Sequence, residues 1–151
     1  TRLRKLDEGQ YAAIVLAAAG LKRLGLAERI RHVFDTAQML PAAGQGALGI
    51  EIRAGRADLL EALAPLADAG TQLACAAERA VSRAMGGSCS MPLAAHATLE
   101  DGQMHLRAAW GEPEGAPQLV RAEERVLVRR ESDAQAVGER VAAALRAGGA
   151  H

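Results

Sequence analysis

The chain has 151 residues and a mass of 15.7 kDa, with 50% hydrophobic but only 2% aromatic residues, so one domain, or one domain plus part of another, must be built on Ala, Leu, Val and Ile. Its 18 basic and 18 acidic residues cancel, which removes any general electrostatic pull toward nucleic acid or an acidic membrane. With no signal peptide and no apolar run of ~18 residues, a soluble cytoplasmic protein is expected.

In chain order, residues 1–8 read as a helix stopped by Gly9. Residues 11–18, Tyr-Ala-Ala-Ile-Val-Leu-Ala-Ala, form a continuous apolar run of the kind a fully buried strand shows. Residues 19–24 predict a short helix closed by Gly25. Helix, buried strand and helix imply a mostly parallel sheet covered on both faces, whose other strands must come from outside this chain. A Gly- and Ala-rich stretch comes next in Leu40-Pro41-Ala42-Ala43-Gly44-Gln45-Gly46, where the backbone can approach another group closely. Residues 47–53 then read as a strand and 58–63 as a short helix ended by Pro65.

From about residue 67 the character changes. Thr71 is a suitable N-cap for a helix to Met85 that carries Leu73, Ala77, Val81 and Ala84 on one face. Residues 93–99 and 103–110 read as strands joined through Glu100-Asp101-Gly102, and Asp-Gly between such runs is a strong hairpin signal. A third strand spans 119–129, and Ser132-Asp133-Ala134-Gln135 fits the capping box of a last helix striped by Val137, Val141, Ala144 and Leu145. The expected fold class is therefore α/β plus α+β: part of a sheet domain, then a small module of two helices and a three-stranded antiparallel sheet.

The chemistry centres on Cys89, in Met85-Gly86-Gly87-Ser88-Cys89-Ser90-Met91-Pro92. Two glycines stop the preceding helix and a proline opens the next element, so the thiol sits on a short connection where it can reach a cleft. Placement alone leaves a bystander thiol equally open. Cys75, inside the preceding helix, reads as packing. About one helix length, roughly 15–20 Å, separates the two cysteines, which excludes a disulfide. His32, His96, His105 and His151 are scattered, without metal-ligand spacing. The basic residues are nearly all arginine, Lys5 and Lys22 being the lysines, and arginine offers a planar fork suited to carboxylates.

Four segments in register carry a resemblance: Thr1-Arg2-Leu3-Arg4-Lys5-Leu6; Ala17-Ala18-Ala19-Gly20-Leu21-Lys22-Arg23-Leu24-Gly25; Leu40-Pro41-Ala42-Ala43-Gly44-Gln45-Gly46-Ala47; and Ala77-Glu78-Arg79-Ala80 leading to Cys89-Ser90-Met91-Pro92. Over essentially its whole length the chain resembles the C-terminal half of the hydroxymethylbilane synthases, also called porphobilinogen deaminases. The resemblance implies a three-domain cytoplasmic transferase of heme (porphyrin) biosynthesis, whose first two domains resemble the halves of a periplasmic binding protein. On that template, residues 1–46 complete the second domain, 47–66 cross back as a strand and helix of the first, and 67–151 form the cofactor-bearing third domain.

The resemblance further implies that the parent joins four porphobilinogen molecules into hydroxymethylbilane with loss of ammonia. Its primer would be a dipyrromethane cofactor held by a thioether to Cys89. Sulfur suits that role, being a strong nucleophile whose thioether survives acid-catalysed cycles. Arg2, Gln45 and Gly46 match cofactor-contacting positions, and Arg23, Leu16 and Ala17 match positions at the substrate site; Arg4, Arg31 and Arg79 read as surface or structural. The acid–base aspartate belongs to the missing first domain, so no catalytic residue is expected here, and Asp7, Glu8 and Glu51 read as solvated or structural. The fragment is expected to be inactive alone, with a free Cys89 and no attached cofactor. The parent is expected to be monomeric, whereas the apolar strands of residues 1–66, deprived of partners in the missing half, are expected to self-associate or lose order. Two other readings use the same residues: a non-catalytic carboxylate-binding module, and a regulatory or oligomerisation module in the last 84 residues.

Overall fold

A two-residue turn sets the sheet's architecture. Asp101 and Gly102 take φ of +50° and +77°, the double left-handed conformation of a two-residue hairpin, and Glu100 pairs directly with Gln103 across it. From this turn β1 (Leu93–Glu100) and β2 (Gln103–Gly111) run antiparallel as the predicted hairpin, with Glu100 in the strand rather than the connection, and β3 (Leu119–Leu127) adds to the far side of β2. The sheet is a meander of order β1-β2-β3. A computed structural model describes residues 2–88, 90–111 and 118–151.

Alternation along the strands divides the sheet into two faces. Ala95, Ala97, Met104, Leu106, Ala108 and Trp110 point to one face and are buried. That face is covered by α4 (Ala69–Ala84) and α5 (Glu131–Ala147), which contribute Ala77, Val81, Val137, Val141 and Leu145 to the same core. Aromatic residues are scarce, so the core is filled by close approach of small residues. A Cβ on Gly138 of α5 would lie 2.4 Å from the Ala77 carbonyl oxygen and 2.6 Å from the Ala80 Cβ of α4, and only hydrogen fits there.

Two helix starts differ from expectation. α4 begins earlier, capped by Asp68, whose Oδ1 accepts from the Thr71 amide at 2.7 Å; Thr71 is the third helical residue rather than the cap. α5 begins after Arg130, and the Ser132 capping box does not form; Asp133 accepts instead from the Arg129 amide at 3.2 Å.

Ahead of α4 the regular structure consists of α1 (Arg2–Asp7), α2 (Ala18–Arg23), α3 (Ala57–Leu63) and two short 3₁₀ turns, none of which contains a fully buried residue. The buried strand predicted for residues 11–18 is not formed: the segment is irregular, with Tyr11 and Val15 exposed. Residues 47–53 are likewise no strand, and Leu48 and Ile50 face solvent. A strand buried on both faces requires hydrogen-bonded neighbours, and among the described residues the sole sheet is the antiparallel meander. The chain divides into two compact units, Thr1–Asp35 and Thr36–His151. No helix among the described residues is long and apolar enough to cross a membrane.

Candidate functional site

Cys89 itself lies outside the described residues, but the loop is fixed on both sides of it. At the α4 end, the left-handed φ values fall on Gly86 (+114°) and Gly87 (+65°), not on Ser88. This lets the Gly86 and Gly87 amides reach back to the Arg83 and Ser82 carbonyls. Met85, buried in the core, anchors the turn, and the Arg146 guanidinium of α5 donates to the Ala84 carbonyl at the helix terminus, where a cation is favoured. On the other side, the Met91 amide donates to the Ser88 carbonyl at 3.2 Å, and the Ser88 and Ser90 hydroxyls share a 2.7 Å hydrogen bond.

Cys75, by contrast, is half-buried within α4, and its thiol is pushed above its ordinary range by burial first and by the nearby Glu78 carboxylate second. Both effects disfavour the thiolate, which suits a packing role. Among the described residues no group of three or more His, Cys, Asp or Glu could hold a metal ion.

Gln45 and Gly46 lie on an exposed turn, closed by hydrogen bonds from the Gln45 amide to the Ala42 carbonyl and from the Ala47 amide to the Gly44 carbonyl. This turn is held by a residue to which sequence reasoning assigned no role. Glu78, only 5% exposed, directs its carboxylate from α4 past the outer edge of β1. One oxygen accepts from the Gly44 amide at 2.7 Å and the other from the Ala97 amide at 2.8 Å. Beside them the Ala95 amide donates to the Pro41 carbonyl, and His96 Nδ1 lies 3.6 Å from Glu78. The free edge of β1 thus has its Ala95 and Ala97 amides satisfied, which also blunts that stretch against pairing with another chain. The available signal was an acidic residue among the core-facing Ala77, Ala80 and Val81, where a carboxylate persists only with partners.

The remaining predicted site residues lie in the Thr1–Asp35 unit. Arg2 opens α1 and is exposed. Leu16 is half-buried, Ala17 is the exposed N-cap of α2, and Arg23 is its last residue, also exposed. Neighbouring arginines are engaged, Arg4 with Glu8 at 2.6 Å and Arg29 with Asp7 at 2.5 Å. Arg2 and Arg23 make no ion pair among the described residues, so their forks remain available to an anionic group. The geometry therefore places Leu16, Ala17 and Arg23 at α2, and Gln45 and Gly46 on the turn whose Gly44 amide is held by Glu78.

Two helices backing a three-stranded meander, with a cysteine loop between helix and first strand and a glycine turn bound at the sheet edge, define a two-layer α+β module. Comparison with known proteins gives this class a family. Residues 1–61 match the family profile described as porphobilinogen deaminase, dipyromethane cofactor binding domain, and residues 72–147 match porphobilinogen deaminase, C-terminal domain. The chain belongs to the porphobilinogen deaminase family. It is 64% identical over 147 residues to a porphobilinogen deaminase of Albidiferax ferrireducens, covering 97% of this chain and 47% of that protein. It is 57% identical over 150 residues to one of Burkholderia mallei, covering 99% and 45%. The chain thus spans about half the length of the curated relatives it matches.

Proposed function

We propose that this chain is the C-terminal half of a cytoplasmic transferase that condenses four porphobilinogen molecules head to tail into hydroxymethylbilane, releasing ammonia at each step. The reading assigns residues 1–46 to the second domain of a periplasmic-binding-protein-like pair, 47–66 to the crossover into the first, and 67–151 to the third. The observation that carries it is the fixed loop around Cys89, in a chain whose first 61 residues match a dipyromethane cofactor binding domain.

The described residues suit such a group. The Gln45–Gly46 turn is exposed, a Cβ at Gly44 or Gly46 would meet nothing within 4 Å, and Arg2 and Arg23 are exposed without ion-pair partners among the described residues. When bound, dipyrromethane supplies the primer on which the product chain is extended. Cys89 holds it through sulfur, in a linkage that resists acid hydrolysis better than an oxygen ester would. Arg2 pairs with its carboxylates, while Gln45 and Gly46 offer backbone contacts. Arg23 receives a substrate carboxylate beside Leu16 and Ala17, since bidentate guanidinium fixes both position and charge. Proton transfer falls to an aspartate in the absent half, so the fragment alone is inactive.

Intact mass, with and without thiol alkylation, tests this on the chain and on its full-length parent. The expected result is a parent carrying an added dipyrromethane that blocks Cys89, and a fragment that alkylates freely. A parent with free, unmodified Cys89 overturns the reading and leaves a carboxylate-binding module.

A further inference from the structure

The sheet face turned away from α4 and α5 carries a patch that the proposed reaction does not use. Strand alternation places His105 and Arg107 of β2 on this face with Arg121, Glu123 and Arg125 of β3. Residues 36–40 lie across part of it and close a cleft of about 340 Å³, lined by Thr36, Leu40, Arg107, Arg121 and Glu123 among others. That volume is within the range of small-molecule sites. A second cleft, toward Met91 and Pro92, shares Leu40 and Arg121 with the first.

The charges in the cleft are not balanced internally. Glu123 is committed to His105, Nε2 to Oε2 at 2.9 Å. Its carboxyl is held below the ordinary range, first by that hydrogen bond and, to a lesser degree, by the positive field of His105, Arg125 and Arg107. Arg107 is fixed by a 2.8 Å hydrogen bond from Nη2 to the Thr36 hydroxyl, which leaves most of its donors uncommitted. Neither Arg107 nor Arg121 has an ion-pair partner among the described residues. Arg107 faces Glu123 directly, so Arg121 is its diagonal neighbour, about 7–8 Å away at the backbone. Between the two forks run the β2 and β3 strands at Ala108 and Ala122, whose side chains face the core, and the apolar surface of the cleft comes from Leu40 and Ala37.

We propose that this cleft binds a compact dicarboxylate, one carboxylate on Arg107 and the other on Arg121, with the body of the molecule against Leu40 and Ala37. Binding there needs no covalent step.

Titration of the 151-residue chain, followed through its backbone amide NMR signals, tests the assignment with two probes. Glutarate presents two carboxylates on a flexible chain; porphobilinogen presents them on a planar ring. Both should bind saturably with Kd on the order of 1 mM, porphobilinogen more tightly, with shifts centred on β2 and β3 and weakening as salt is added. Arg121 is exposed, so Arg121→Gln should fold normally and raise Kd about tenfold, or about 1.4 kcal/mol. Arg125→Gln, on the same face but outside the cleft, should change it less than about twofold. Arg121→Lys, which keeps the charge and loses the fork, should lie in between. Failure of both probes to saturate, or equal losses in the Arg121 and Arg125 variants, would overturn the site. Choosing porphobilinogen rests on the proposed function, whereas the glutarate arm and the mutants do not, so the two ideas can fail separately.

Discussion

The last 83 residues and the first 68 share one composition but bury it differently. In the C-terminal module, α4, α5 and three strands enclose Met104, Leu106, Val81, Val137, Val141 and Leu145 almost completely. Before α4, no helix has a fully buried residue, and Leu48 at 85% exposure, Val15 at 63% and Ile50 at 61% face solvent. Apolar content is thus no guide to order by itself. What separates the regions is whether each apolar face finds a second layer within the chain.

The sharpest way to break this contrast is to separate α4 from α5. Gly138→Val would drive a side chain into the Ala77 carbonyl, and we expect a loss of about 3 kcal/mol or more. Thermal unfolding followed by circular dichroism should then show a Tm lower by on the order of 10–20 °C. An unchanged Tm would mean that the interhelical contact is not tightly packed.

Glu78→Ala should come next. It leaves the Gly44 and Ala97 amides without their acceptor, at about 1–3 kcal/mol for each that stays dry. Hydrogen exchange should accelerate at Gly44 and Ala97 before the strand centres of β2 respond. Uniform acceleration across the module would show a general loss of stability rather than release of the turn. Leu48→Lys should have the smallest effect, within about 0.5 kcal/mol by denaturant titration, because the side chain is already exposed. A large loss there would reveal a packing role in the N-terminal part.

Legibility followed the same division. The hairpin, the start of β3, the stripe of α4 and Val137, Val141 and Leu145 of α5 were readable because local signals and tertiary packing agree there, whereas Ala144 of the expected α5 stripe is exposed and Ala142 is buried instead. Residues 11–18 and 47–53, read as strands, form none in this chain, because an apolar run states a need for partners without supplying them. The cap of α4 was misplaced by three residues because Asp68 and Thr71 both cap well, and the geometry gives Asp68 the acceptor and Thr71 the amide. Within the candidate site, exposed Arg2, Arg23, Gln45 and Gly46 were named from resemblance. Glu78 was passed over because its role arises from two contacts, one 34 residues back and one 19 ahead, that no local pattern records.

That carboxylate has an evolutionary consequence. Both groups that donate to it belong to the main chain, so the joint between helix, strand edge and glycine turn constrains a single side chain. The joint asks of Gly44 and Ala97 only their backbone path and leaves their side chains unused. On its account, substitution over time should be least tolerated at position 78.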